Sequence, residues 1–226
     1  MYKRQINRRV NPGDFVRKVG DDVTPGDIAV RAGTIVGPAQ VGLLAAVGRD
    51  KVLVHPRPRV SIISVGNELV DLDRIPGQGQ VYDVASYALT AAALEAGAEV
   101  HRVGIVSTEP RAFRELVETQ LLRSEIVVIA GAVGGIASEH VRNVLADLGE
   151  VEVERVAMHP GSVQGFGLLG ADQIPTFLVP SNAVSALLVF ELMVRPMIRI
   201  ALGKRHPMRR IIRARTIIPV TSMKGL

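Results

Sequence analysis

The stretch Glu125-Ile126-Val127-Val128-Ile129-Ala130-Gly131-Ala132-Val133-Gly134-Gly135-Ile136-Ala137-Ser138-Glu139-His140 decides the fold. Residues 125–130 are an apolar run rich in β-branched side chains, the composition of a strand buried on both faces of a parallel sheet. Gly131, Gly134 and Gly135 follow at once, and glycine lets backbone amides turn outward and approach a ligand. Ser138 then precedes apolar residues at helical spacing (Val141, Val144, Leu145, Leu148) that stop at Gly149, so a helix begins there. A strand, a glycine turn and a helix start point free N–H groups and a positive dipole end at one place, which suits an anion such as phosphate. The same glycines also suit a tight βα turn that holds nothing. Their spacing is neither of the two common nucleotide fingerprints, and no lysine follows them, which excludes a Walker site.

Working outward, the same rhythm repeats. Residues 60–65 form an apolar strand that Gly66-Asn67-Glu68 turns off, and a loop bearing proline and glycine fills 71–82. Asp83 caps a helix that stops at Gly97. A strand over 100–106 leads through Ser107-Thr108-Glu109-Pro110 into a helix reaching Arg123. Beyond the decisive stretch, 151–157 are extended, Met158-His159-Pro160-Gly161 is a turn, and 176–179 form a strand ended by Pro180-Ser181-Asn182. A long apolar helix over 183–202 closes the unit, interrupted by Glu191 and Arg195-Pro196 and so unsuited to a bilayer. Alternating strands and helices with short loops predict an α/β fold, a parallel sheet with helices on both faces. Ligands of such sheets sit beyond the carboxyl ends of the strands. That rule gathers Gly66–Glu68, Asp83, Thr108, the 131–139 loop and Pro180–Asn182 on one rim.

The flanks differ in kind. Residues 6–58 read as a small mixed piece with turns at Asn11-Pro12-Gly13-Asp14 and Thr24-Pro25-Gly26-Asp27, a helix from Pro38 to Gly48 and a strand over 51–54. It has few apolar residues of its own and is expected to lean on something outside the chain. Residues 204–226 are basic, with two β-like runs over 210–213 and 217–221, like the first strands of a further domain. The chain reads as cut at both ends, and residues 1–5 as foreign to the rest. Three segments result: 6–58, 59–203 and 204–226.

Charge is divided in the same way. Residues 1–59 carry 11 Lys/Arg against 5 Asp/Glu, residues 60–203 carry 9 against 17, and residues 204–226 carry 7 against none. The net +5 therefore hides an acidic middle. With no Trp and eight aromatics, the chain lacks the basic, aromatic-lined face that nucleic acid requires. The absence of cysteine removes disulfides, thiolate metal sites and thiol catalysis. No apolar run spans a bilayer and no signal-peptide pattern opens the chain, so a cytoplasmic protein is expected.

On the rim, Glu68 and Asp83 are the carboxylates suited to Mg²⁺, a hard cation that oxygen ligands bridge to phosphates. A plain helix cap explains Asp83 equally well. His159 and Arg155 flank one turn, where either meets an anion or is simply solvated. Ser138 and Ser181 have no base beside them in sequence, which argues against a serine nucleophile.

These residues also carry a resemblance. Ser64-Val65-Gly66-Asn67-Glu68-Leu69, followed by Gly79-Gln80-Val81-Tyr82-Asp83, resembles the S-T-G-D-E-L and G-Q-I-x-D-[ST]-N signature of the molybdopterin molybdenumtransferases, MoeA and the E domain of gephyrin. Ala157-Met158-His159-Pro160-Gly161 is similar to that family's A-x-K-P-G. Val179-Pro180-Ser181-Asn182-Ala183-Val184-Ser185-Ala186 is similar to its L-P-G-N-P-V-S-A, and 38–47 resemble the segment before this domain. The resemblance implies a three-layer molybdopterin-binding fold with partial β-rich segments on either side. It also implies conversion of adenylylated molybdopterin (molybdopterin-adenylate) and molybdate to molybdenum cofactor and AMP, with a divalent cation and in a homodimer. The implied catalytic residues are Glu68, Asp83 and Glu139. The implied substrate contacts are Gly66, Asn67, Gly131, Val133, Gly134, Gly135, Ser138, Arg155, His159, Pro160, Gly161, Pro180, Ser181 and Asn182.

The departures cluster on the rim. Asn67 and Thr108 stand where the family has Asp, and Glu139 replaces another Asp. Arg155, His159 and Ser162 stand for lysines, and Ser181 and Ala183 for Gly and Pro. Because Mg²⁺ tolerates little change of geometry, two functions stay open: a molybdenumtransferase, or a gephyrin-like binding scaffold with weak or absent chemistry.

Overall fold

The computed structural model describes residues 8–134 and 138–219. It divides into two compact units, one ending at Val54 and one starting at His55.

In the first unit, α1 (Pro38–Ala46) starts on a proline whose missing N–H costs a helix nothing at that position. The two expected turns form. Asp14 accepts from the Asn11 amide at 3.0 Å and Asp27 from the Thr24 amide at 2.9 Å. The strand expected over 51–54 does not form, nor does any other among the described residues of this unit. An extended run needs a ladder partner, and here none is supplied: no residue of α1 is buried, and Val19 and Leu53 are fully exposed.

The second unit is built on a six-stranded sheet. Its strands are β1 (Arg59–Val65), β4 (Glu99–Val106), β5 (Ile126–Val133), β6 (Gly149–Arg155), β7 (Val163–Leu169) and β8 (Ile174–Pro180), in the order β4-β1-β5-β8-β7-β6. The first four in that order run parallel, while β7 is antiparallel to both its neighbours. A small ladder of β2 (Leu69–Val70) and β3 (Val81–Tyr82) stands apart. The helices are α2 (Val84–Ala96), α3 (Pro110–Leu121), α4 (Ser138–Ala146), α5 (Ala183–Val189) and α6 (Arg195–Ala201).

The alternation of the central strands makes three layers. Val60, Ile62, Val128 and Ala130 face Leu89 and Ala93 of α2 and Ala186, Val189 and Ile198 of α5 and α6. Ile63, Val65, Val127 and Ile129 face Phe113 and Val117 of α3 and Val141 and Leu145 of α4. Every residue of β5 is buried, as its unbroken apolar composition requires.

Three differences from the sequence reading have physical causes. β7 was not foreseen, because Gly165 and Gly167 look like loop residues. Both permit a close approach to β6: a Cβ on Gly165 would lie 2.9 Å from the Glu152 carbonyl oxygen, and one on Gly167 would lie 2.7 Å from that of Glu150. The closing helix is one run broken by a π turn at Phe190–Val194. Pro196 lacks an amide and crowds the carbonyl one turn back, and a widened turn accommodates it. Residues 204–219 form no strand. Arg209 ties them down, through Glu191 at 2.7 Å and Glu95 at 3.2 Å. The remainder of the run expected over 217–221 lies outside the described residues.

Candidate functional site

The chain leaves β1 for β4 on one side, passing α2 on one face, then returns by α3 on the other face to β5. This reversal opens a crevice beyond the carboxyl ends of β1 and β5. A cleft of about 420 Å³ lies there. Ser64 of β1, Ala130 of β5, Leu69, Val81 and Tyr82 of the small ladder, and Ser181 and Asn182 after β8 line it, with Glu68 and Asp83.

The two carboxylates differ. Asp83 is 1% exposed and caps α2. Its Oδ1 accepts from the Ser64 hydroxyl at 2.9 Å and the Ser86 amide at 3.0 Å, and its Oδ2 from the Ser86 hydroxyl at 2.5 Å. The capping reading of Asp83 is thus realised, with both oxygens engaged. Glu68 is exposed and curls over Gly66, where a Cβ would lie 2.8 Å from its Oε2. No group of three or more His, Asp or Glu among the described residues could hold a metal ion. Mg²⁺ binds through one or two carboxylates with substrate phosphates and water. Glu68 suits that role, but the described residues form no closed cage of their own.

Asn182 caps α5, its Oδ1 accepting from the Val184 and Ser185 amides at 3.0 and 3.2 Å. This fixes the turn after Pro180 and Ser181 against the cleft. Asn67 and Thr108 join across the loops after β1 and β4 at 3.3 Å.

The glycine stretch departs from expectation. β5 continues to Val133, which pairs with Pro180, and Gly131, Ala132 and Val133 are buried. The outward-facing turn expected at Gly131 therefore starts only at Gly134, and Gly135 lies outside the described residues. Gly131 is needed for another reason. Its φ is +87°, and a Cβ there would run into the Val65 carbonyl oxygen. Ser138 and Glu139 open α4 as the sequence implied.

Arg155 ends β6, and His159 and Pro160 lie in the turn beyond it. A Cβ on Gly161 would lie 3.2 Å from Val189, so this turn packs on α5. Arg155 and His159 are exposed, and Arg155 lies 3.5 Å from the Ser162 hydroxyl. The structure thus gathers Glu68, Asp83, Ser181 and Asn182 into the cleft. Gly66, Asn67, Gly131, Val133, Gly134, Ser138, Glu139, Arg155, His159, Pro160, Gly161 and Pro180 are not among the residues lining it.

Sequence reasoning missed Arg102 of β4, which lies 3.8 Å from Asp83 and bonds Ser86 at 3.1 Å and Asp71 at 2.9 Å. Those partners are 16 to 31 residues away along the chain, so no local pattern announces them. The Tyr87 hydroxyl and the Arg102 guanidinium hold the Asp71 carboxyl down to about 2.

Comparison with known proteins agrees with this architecture. The family model described as a probable molybdopterin binding domain matches residues 61–200. The MoeA N-terminal region (domain I and II) matches residues 2–48. Residues 2–5 therefore belong to a matched segment and are not foreign to the chain. The chain is 67% identical over 225 residues to molybdopterin molybdenumtransferase 1 of Mycobacterium tuberculosis, covering all of itself and 53% of that protein. It is 34% identical to the molybdopterin molybdenumtransferase of a Nostoc species, covering 87% of itself and 47% of the relative. The chain spans about half the length of the curated relatives it matches. The molybdopterin biosynthesis MoeA protein from Pyrococcus horikosii superposes with a TM-score of 0.70 at 33% identity, over 82% of this chain and 46% of that one. By sequence and by fold, this chain belongs to the MoeA family.

Proposed function

We propose that this chain carries the molybdopterin-binding part of a molybdenumtransferase, which converts adenylylated molybdopterin and molybdate into molybdenum cofactor and AMP. One observation carries the reading: an exposed carboxylate, two serines, a capping asparagine and a tyrosine converge on one cleft, at the reversal point of the sheet. The tricyclic pterin suits the apolar wall of Leu69, Val81 and Tyr82. Its phosphate side suits the hydroxyl and amide groups of Ser181 and Asn182. Glu68 is the group that would hold Mg²⁺, which neutralises phosphate charge when bound. Asp83 acts from beneath, orienting Ser64 and the start of α2. Glu139, Arg155 and His159, which do not line the cleft, are assigned in this reading to the more distant parts of the substrate.

In this reading residues 59–203 hold the substrate, while 6–58 and 204–226 are parts of flanking units, and the full-length protein works as a cytoplasmic homodimer. No helix among the described residues is long and apolar enough to cross a membrane. The curated relatives do not favour the scaffolding alternative.

The test uses the full-length protein with adenylylated molybdopterin, molybdate and Mg²⁺, reading AMP release. Wild type should turn over, and Glu68→Ala should lose activity on the order of 10²-fold while remaining folded, as loss of a charge-stabilising group does. Undiminished turnover in Glu68→Ala, or no release by wild type, contradicts the proposal.

A further inference from the structure

We infer that Arg102 is a positioning residue for the cleft, a clamp that fixes both the wall formed by residues 66–83 and the carboxylate of Asp83. The inference rests on the proposed function only for its kinetic arm.

Arg102 stands on β4, outside the cleft lining, yet one guanidinium meets four groups. Its Nη2 donates to Asp71 Oδ2 at 2.9 Å and to the Tyr87 hydroxyl at 3.0 Å. Its Nη1 donates to the Ser86 hydroxyl at 3.1 Å and lies 3.8 Å from Asp83 Oδ2. The guanidinium carbon also sits 4.0 Å from the centre of the Tyr87 ring. Tyr87 in turn donates to Asp71 Oδ1 at 2.6 Å. A planar fork that stacks while donating in several directions is a task for Arg and not Lys.

The partners explain the role. Asp71 immediately follows β2, and Asp83 immediately follows β3. The amides of Val81 and Asp83 close the ladder by donating to the carbonyls of Glu68 and Val70 at 2.8 and 2.9 Å. Leu69, Val81 and Tyr82 of this ladder line the cleft. Two strands of two residues each cannot hold a wall unaided. Arg102 binds the loop that joins them to the first turn of α2, and α2 packs on the main sheet.

β4 is shaped for the clamp. Pairing with β1 jumps from Ile62↔Arg102 to Ile63↔Gly104, a bulge of the kind that re-aims a side chain. A Cβ on Gly104 would lie 3.4 Å from Arg102 Nη1, and its φ is +86°. The strand gives up regularity where the guanidinium passes. The Ser86 hydroxyl then relays the fork to Asp83, donating to Oδ2 while accepting from Nη1.

The test compares wild type with Arg102→Met, which keeps the stem and removes the fork. On this chain, amide exchange should quicken at 66–83 and stay unchanged in β5 and β8. In the full-length protein, kcat/KM for AMP release should fall on the order of 10²-fold, the cost of a misplaced site, with KM raised because a substrate-binding wall has loosened. Guanidinium added at non-denaturing millimolar concentration to Arg102→Ala should restore part of the rate. If Arg102→Met proves poorly folded, Asp71→Ala removes the same tie from the other end and should loosen the same segment.

Unchanged exchange at 66–83 in a folded variant overturns the inference. So does exchange that rises evenly across the sheet with KM unaltered, since that is lost stability and not lost position. If wild type releases no AMP, the functional reading fails. The exchange experiment still decides the clamp, because it needs no substrate.

Discussion

Replacing Asp83 with alanine tests how the buried half of the cleft is held. The side chain caps α2, and loss of such a cap costs about 1 kcal/mol, within a range of roughly 0.5–2. It also accepts from the hydroxyl of Ser64, which has no exposed surface. An orphaned buried hydroxyl adds about 1–3 kcal/mol. Ser86 is spared part of this, since its oxygen keeps the Arg102 donor. The sum is about 2–5 kcal/mol, which for a domain of this size lowers Tm by on the order of 10 °C. Asp83→Asn should cost only about 1 kcal/mol, because the amide oxygen still accepts and the Ser86 hydroxyl can turn to receive the amide hydrogen. Urea unfolding followed by far-UV circular dichroism measures both. Adding Ser64→Ala to Asp83→Ala should recover part of the loss, since the hydroxyl left unsatisfied is then gone. The reasoning is refuted if Asp83→Ala unfolds within about 0.5 kcal/mol of wild type, or if Asn costs as much as Ala.

Other residues give equally specific outcomes. Gly131→Ala should cost about 4 kcal/mol or more, because the new Cβ meets the Val65 carbonyl in a left-handed backbone; near-native urea stability would contradict this. Phe113→Ala should cost about 3–5 kcal/mol in the same assay, since Phe113 is 1% exposed in the core beneath α3 and α4. Asp71 is held down to about 2 by Tyr87 and Arg102, below its ordinary 3.8, so its ionised form stabilises the fold above the ordinary value. That contribution fades as pH falls from about 4 towards 2. The stability gap between wild type and Asp71→Asn should therefore be present at neutral pH and close across that window. A gap independent of pH would show that the ion pair is not its source.

The sheet was legible where each strand carries its own signal. β1 and β5 are unbroken apolar runs, and Gly97 and Pro110 punctuate the helices beside them. β7 was not, because its glycines answer to the backbone of β6 and not to neighbours in sequence. The end of β5 was misread for a related reason. Gly131 serves a close approach to β1, which looks in sequence like a loop. The strands expected over 51–54 and 210–213 carry β-like composition, but composition supplies no pairing partner. At the site, Glu68, Asp83 and Asn182 were legible because each follows a strand or starts a helix. Arg102 was not, because its role comes from partners that only the fold brings near. The placement of Arg155 and His159 outside the cleft lining likewise depends on how the 156–162 turn packs on α5.

The most direct measurement is a footprint of bound molybdopterin on this chain by amide hydrogen exchange. The account predicts protection confined to 64–69, 81–84 and 181–184, the segments that converge at the carboxyl ends of β1, β5 and β8. Protection centred instead on the outer face of α2 and α5, around Ala91 and Leu187, or no protection at all, would contradict it.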